Sequence, residues 1–91
     1  MDYEWDPDKD RTNQEKHGVS FAEASTVFLD PLQVTVVDER HSIGEFRFRT
    51  IGYTVRNRLV IVAHTDRDDR IRIITAREAS ARERRQYEQE T

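Results

Sequence analysis

The feature that most restricts how this 91-residue chain can fold is a run of strand-like segments with almost nothing between them. "FRFRTIGYT", "RLVIVAHT" and "RIRIITA" are rich in β-branched and aromatic residues, as strands are. Only "VRN" at 55–57 separates the first two, and only "DRDD" at 66–69 the last two. A connection that short cannot return the chain to a parallel start, so the three segments must form consecutive antiparallel hairpins. Upstream, "QVTVVD" is a fourth strand candidate and "YEW" at 3–5 a short one. Phe46, Phe48 and Thr50 alternate with Arg47, Arg49 and Ile51, the period of a half-buried strand. In the last segment Ile71 and Ile73 are expected on one face, Ile74 and Ala76 on the other.

The rest of the chain reads as helices, two of them unusual. "DPDKDRTNQEKHG" has good ends: Asp6 suits the N-cap, Pro7 the first helical position and Gly18 the residue past the end. Lys16 and His17 lie in the last turn, where the helix dipole favours cations. Between those caps no aliphatic or aromatic residue occurs, so the helix must lie on the surface or pack through long stems and polar contacts. "VSFAEASTVFLDP" is conventional. Ser20 and Glu23 have capping-box spacing, Val19 can staple onto Ala24, and Phe21, Ala24, Val27 and Phe28 form an apolar stripe ended by Asp30-Pro31. The closing segment after Arg77 offers only Ala79, Ala81 and Tyr87 as apolar groups among its arginines, too few to hold a helix on a core. The order is strand, two helices, four strands, helix. It predicts one small α+β domain over residues 1–91, with two N-terminal helices packed on an antiparallel β-sheet and a C-terminal helix.

Composition narrows the functional classes. There is no cysteine, so neither disulfides nor thiolate metal sites can staple a domain that buries only about 60–65% of its unfolded surface. The longest apolar run, "LVIVA", is too short to span a bilayer, and the acidic N-terminus lacks the basic and apolar regions of a signal peptide. A cytoplasmic protein with no membrane partner is expected. The net charge of −3 argues against indiscriminate nucleic-acid binding. Its distribution is uneven: −5 over residues 1–30, +2 over 31–65 and neutral over 66–91. Every base after Lys16 is an arginine, the side chain whose fork matches phosphate and carboxylate.

Two constellations can carry chemistry. On a continuous helix, positions 77 and 84 differ by about 20° around the axis and 87 lies roughly 60° further on, which gathers Arg77, Arg84 and Tyr87. With Arg67, Arg70 and Arg72 from the last hairpin, they can grip a phosphodiester and stack a base. A solvated helix whose arginines pair with Glu78, Glu83 and Glu88 accounts for the same residues. The second constellation is Lys9, Asn13, Lys16 and His17 on one side of the first helix, where His17 is suited to proton transfer or simply to the helix dipole. His17, His41 and His64 have no metal-ligand spacing, and no Gly-rich phosphate loop or Ser-His-Asp pattern can be identified. Asp38, Glu39 and Glu45 fall on loops or strand edges, where solvation or edge protection explains them.

The ordered set Trp5-Asp6, Lys9, Asn13, Lys16-His17-Gly18, Phe21-x-Glu23-Ala24, Asp30-Pro31, Glu45-x-Arg47, Gly52, the run Ile71 to Arg77, Glu83 and Tyr87 resembles the BrnT family of toxins. The match covers nearly the whole chain, with Thr75 where many relatives have serine. The resemblance implies a RelE-like fold and the toxin of a type II toxin–antitoxin system, a metal-independent endoribonuclease needing no cofactor. Its implied partners are RNA, a ribbon-helix-helix antitoxin (BrnA-like), and operator DNA bound through the antitoxin complex. Cleavage requires activation of a 2′-OH, stabilisation of a charged phosphorane and protonation of the leaving oxygen. Arg67, Arg72 and Arg77 are expected to hold phosphate, with Tyr87 and His17 next and His64 a further proton-transfer candidate. Lys9, Lys16 and Arg84 are expected to bind RNA. The alternative is a non-catalytic binding module: a protein-targeting toxin or a co-repressor partner of the antitoxin.

Overall fold

The hairpins are present in a computed structural model that describes residues 2–90. Strands β1 (Asp2–Glu4), β2 (Val34–Val37), β3 (Phe48–Tyr53), β4 (Leu59–Arg67) and β5 (Arg70–Glu78) form one sheet in the order β1-β5-β4-β3-β2. Helix α1 spans Pro7–His17, and α2 (Phe21–Ser25) runs on as a 3-10 turn over Thr26–Leu29. Helix α3 (Ala81–Glu90) closes the chain. The pairs β2/β3, β3/β4 and β4/β5 are antiparallel, as the short connections require. The edge pair β1/β5 is parallel, so the sheet is mixed rather than purely antiparallel. That pairing is open to β1 because most of the chain intervenes before β5. The β4–β5 turn is tighter than "DRDD" suggested. Asp68 and Asp69 alone form it, with φ of 51° and 49°, the two left-handed residues of a type I′ hairpin.

Val19, Phe21, Ala24 and Val27 pack on Val60, Val62, Ile71, Ile73 and Ala76 to make the core. Gly52 lets the 3-10 turn lie directly on β3, since a Cβ there would meet Val27 Cγ1 at 3.0 Å. The expected alternation along β5 fails at one point. His64 pairs with Ile73 and Ala63 with Thr75, leaving Ile74 as a bulge. The extra residue resets the phase. Ala76 therefore joins Ile71 and Ile73 in the core instead of facing away, and Thr75 and Arg77 point to the far face.

The apolar-free helix α1 is capped as expected. Asp8 N–H donates to Asp6 Oδ1 at 2.8 Å, and Gly18, at φ 67°, donates to Gln14 O at 2.9 Å. What holds it is Asn13, 5% exposed. Its Nδ2 donates to Ala76 O at 2.8 Å and Val19 O at 2.9 Å, and its Oδ1 accepts from Ala76 N at 3.2 Å. Strand β1 covers only Arg70–Arg72 of β5, so the edge beyond is open and the Asn13 amide takes a strand's place there. In α2, Ser20 Oγ caps Glu23 N–H at 3.0 Å, but the Glu23 carboxylate does not complete a capping box. It accepts from Thr54 Oγ1 at 2.8 Å and Arg58 Nε at 2.9 Å, and Arg58 also donates to Gly18 O at 3.0 Å, which ties the β3–β4 turn to the α1–α2 junction.

Replacing Asn13 with Ala leaves three buried backbone groups unpaired, and the expected loss is about 3 kcal/mol at 1–3 kcal/mol for each such group. Asn13→Asp retains the acceptor but turns a second carboxylate oxygen on two carbonyls, and should do no better. Urea unfolding measures both; a loss below about 1 kcal/mol for Asn13→Ala would show that the edge is satisfied by other means.

Candidate functional site

The structure distributes the expected site residues over separate places. Lys9, Asn13, Lys16 and His17 do share one side of α1, and with Asp8, Thr12, Ile74 and Thr75 they line a groove of about 330 Å³ along the β5 edge. Asn13 is committed to the strand. Lys9, Lys16 and His17 are exposed, and among the described residues none of them is ion-paired.

Arg77, Arg84 and Tyr87 do not share a helix face, because Arg77 belongs to β5 and α3 begins only at Ala81. They still converge, through a different logic. Arg77 Nη1 and Nη2 donate to the two Glu83 oxygens at 2.7 and 2.8 Å. Glu83 Oε1 also accepts from Ser80 N–H at 2.9 Å, while Ser80 Oγ accepts from Glu83 N–H at 3.2 Å, so Ser80 and Glu83 form the capping box of α3. The Arg77 bond, helped by Ser80 and opposed by burial, holds the Glu83 carboxyl down to about 2. Tyr87 is 5% exposed and donates to Asp30 Oδ2 at 2.8 Å, the oxygen that also accepts from Tyr53 N–H at 2.8 Å. Burial and the Asp30 carboxylate push the Tyr87 phenol up to about 12. Arg84 Nη1 donates to Tyr53 OH at 3.1 Å, and the Tyr53 and Tyr87 rings meet edge-on at 5.6 Å. Tyr87 is thus the anchor of α3, and Arg77 is its clamp. Beneath α3 a groove of about 450 Å³ runs over Val34, Val36, Ile51 and Ile61 of the far sheet face, with Arg49 on its lining.

Arg72 pairs with Glu4 across β1 and β5 at 3.1 Å, and exposed Arg67 is 3.9 Å from Glu45. His64 is buried between Phe28 and Phe48, and its Nε2 bonds Thr50 Oγ1 at 2.7 Å. Thr50 Oγ1 in turn bonds Thr35 Oγ1 at 2.7 Å, so a polar ladder crosses β4, β3 and β2. Burial pushes the His64 imidazole down to about 4, against a weaker opposing pull from Asp66. It is neutral at neutral pH and shielded from any substrate, which removes it as a proton-transfer group.

One pair escaped the sequence reading. Asp38 is not a solvated carboxylate: its side chain is only 13% exposed and its Oδ2 lies 2.9 Å from His41 Nδ1. The available signal was the Asp-x-x-His spacing, which a 3-10 turn over Glu39–His41 converts into a contact. His41 and His17 cannot act as one acid–base pair. His41 lies between β2 and β3, whereas Arg58, at the β3–β4 turn, reaches Gly18 beside His17, at the other end of the sheet. Among the described residues no three His, Asp or Glu side chains are grouped to hold a metal ion, and no helix is long and apolar enough to cross a membrane.

His64 makes the acid stability of the protein predictable. Between about pH 6.5 and 4 the unfolded imidazole takes up a proton that the folded one refuses, so stability falls as pH falls through that window. The full loss is on the order of 3 kcal/mol at 1.36 kcal/mol per unit. His64→Gln should flatten that stretch of the curve. An unchanged wild-type midpoint across it in urea titrations would refute the buried neutral imidazole.

The comparisons with known proteins agree with this architecture. No curated protein matches the chain in a sequence search. Among solved structures, the 1.1 Å crystal structure of the Brucella abortus ribonuclease toxin BrnT is similar in fold, with a TM-score of 0.64 and 24% identity, covering 88% of this chain and 97% of that one. Residues 5–83 match the family model described as the ribonuclease toxin, BrnT, of type II toxin–antitoxin systems. That match runs from Trp5 ahead of α1 to Glu83 at the start of α3, and on it the chain belongs to the BrnT family of ribonuclease toxins.

Proposed function

We propose that this ribonuclease toxin is a metal-independent endoribonuclease whose cleavage of cytoplasmic RNA arrests growth. A ribbon-helix-helix antitoxin neutralises it, and their complex binds its own operator DNA. Family membership supports the toxin role. The observation that carries the RNA reading is the division between held and free cations. Arg77 is gripped by Glu83 and Arg72 by Glu4, while among the described residues Lys9 and Lys16 stand exposed without an acid partner along one groove, beside His17. Phosphates of a single strand can pair with the two lysines and accept a hydrogen bond from His17, and Arg67, loosely associated with Glu45, is a further phosphate ligand. Arg72, Arg77, Arg84 and Tyr87 act by shaping the molecule. The exposed apolar side chains Val36 and Val37 on the uncharged edge strand β2 suit an antitoxin segment, which would also cover the unpaired edge.

The test is incubation of antitoxin-free protein with RNA in EDTA. Defined fragments are expected; intact RNA from folded protein would favour the non-catalytic module. The double change Lys9→Ala, Lys16→Ala should weaken RNA binding at least tenfold without lowering the melting temperature. It should also reduce the salt slope of binding by about 0.7 for each phosphate that is no longer neutralised. Unchanged affinity and salt slope would place the RNA elsewhere.

A further inference from the structure

Resting on the ribonuclease reading, we propose that His41, oriented by Asp38, is the general base of RNA cleavage, in a centre formed by the β2–β3 connection. The three histidines have different environments, and only one is equipped for the task. His64 is enclosed by aromatic rings, and among the described residues His17 has no hydrogen-bond partner to fix its ring. His41 is 61% exposed, and its Nδ1 meets a carboxylate that is largely shielded from water. A carboxylate only accepts, so the proton of this contact sits on Nδ1. In the neutral ring that leaves the far nitrogen, Nε2, as the acceptor, on a side chain that is mostly exposed. The same logic makes the carboxylate-backed imidazole of other hydrolases a competent base.

The connection that carries the pair is braced rather than slack. Asp38 N–H donates to Arg47 O at 2.7 Å, and His41 N–H to Asp38 O at 3.2 Å. Ser42 Oγ donates to Asp38 O at 2.7 Å and accepts from Arg47 N–H at 3.0 Å, closing the base of the loop on itself. The imidazole is therefore held in one orientation before any substrate arrives, which is what positioning requires. The surroundings suit a nucleotide. Burial works against ionisation of the Asp38 carboxyl, but the His41 bond and the nearby Arg49 guanidinium outweigh it and keep the group ionised. Phe46, 68% exposed on the same connection, offers a ring face for stacking a base.

The reaction balances without a cofactor. His41 Nε2 takes the proton of a ribose 2′-OH, the 2′-oxygen forms a bond to the adjacent phosphorus, and the bond from phosphorus to the 5′-oxygen breaks. The leaving 5′-oxygen takes a proton from water, and the hydroxide so formed takes the proton from the imidazolium. The products are a 2′,3′-cyclic phosphate and a 5′-hydroxyl end. Asp38 touches no substrate atom; it is a positioning residue that also stabilises the imidazolium.

The experiment uses full-length protein, an unstructured RNA oligonucleotide and EDTA. His41→Ala and His41→Gln should each lower the cleavage rate at least 100-fold, within the range for removal of a general base, with melting temperatures unchanged. Added imidazole should restore part of the His41→Ala rate, a response that a structural role would not give. Asp38→Asn should lower kcat about tenfold or more with KM within about twofold. Wild-type fragments should end in 2′,3′-cyclic phosphate. A His41→Ala protein that cleaves like wild type, or fragments ending in 3′-hydroxyl, would overturn the assignment while leaving the ribonuclease reading intact. Wild-type protein that leaves the RNA whole would overturn both.

Discussion

The structure depends on one buried amide. Asn13 joins a helix without apolar residues directly to the sheet, because its carboxamide reproduces the donor–acceptor pair a neighbouring strand would supply to Ala76. Buried backbone groups that lack partners cost about 1–3 kcal/mol each, so the open edge of β5 and the polar helix satisfy one another. The consequence reaches the surface. A helix held by polar contacts, those of Asn13 and the Asp10 bond to Phe21 N–H, needs no apolar face, and its other positions are free to be charged. Lys9, Lys16 and His17 can line a groove beside the sheet because packing does not require those positions.

Polar anchoring also settles the closing helix. The bulge at Ile74 turns Arg77 to the far face, where it meets Glu83, and Glu83 is at the same time the cap of α3. At the other end of the helix, Asp30 collects Tyr53 N–H, Leu32 N–H and the Tyr87 phenol. A phenol donating to a carboxylate in a shielded site is a stronger tie than an ion pair in water. Arg77 is 44% exposed at its side chain, so its pair with Glu83 contributes orientation more than stability. An arginine-rich helix with few apolar groups is held by its side chains' polar ends.

What was legible in the sequence was what neighbours decide. Asp6, Pro7 and Gly18 bound α1 at both ends, and the short connections gave the hairpins, because caps and turns are chosen by residues a few positions apart. The grouping of Lys9, Lys16 and His17 followed from helical period alone. Asn13 was visible as a member of that group, but not as its anchor, since its partners lie 6 and 63 residues away. Nothing in "RIRIITA" marks the bulge: Ile73 and Ile74 are both apolar and no glycine signals a break in phase. The supposed face of Arg77, Arg84 and Tyr87 failed for a related reason, because β5 continues through Glu78 where helix was expected. Asp38 and His41 were missed because a three-residue 3-10 turn has no periodicity to read.

The three histidines show how far local surroundings, rather than residue type, divide labour in so small a domain. His64 is locked by Thr50 and aromatic rings, and its neutrality is a condition of the core. His17 ends a helix and lines a groove. His41 stands on a connection braced by Ser42, backed by a carboxylate and open to solvent. Burial removes a proton-accepting site from reach, and an unrestrained side chain loses alignment; a base must avoid both. Among the described residues, it is at the β2–β3 connection that the fold supplies a histidine with an ionised partner and leaves the ring open to water, without drawing on the apolar contacts that hold the sheet to its helices.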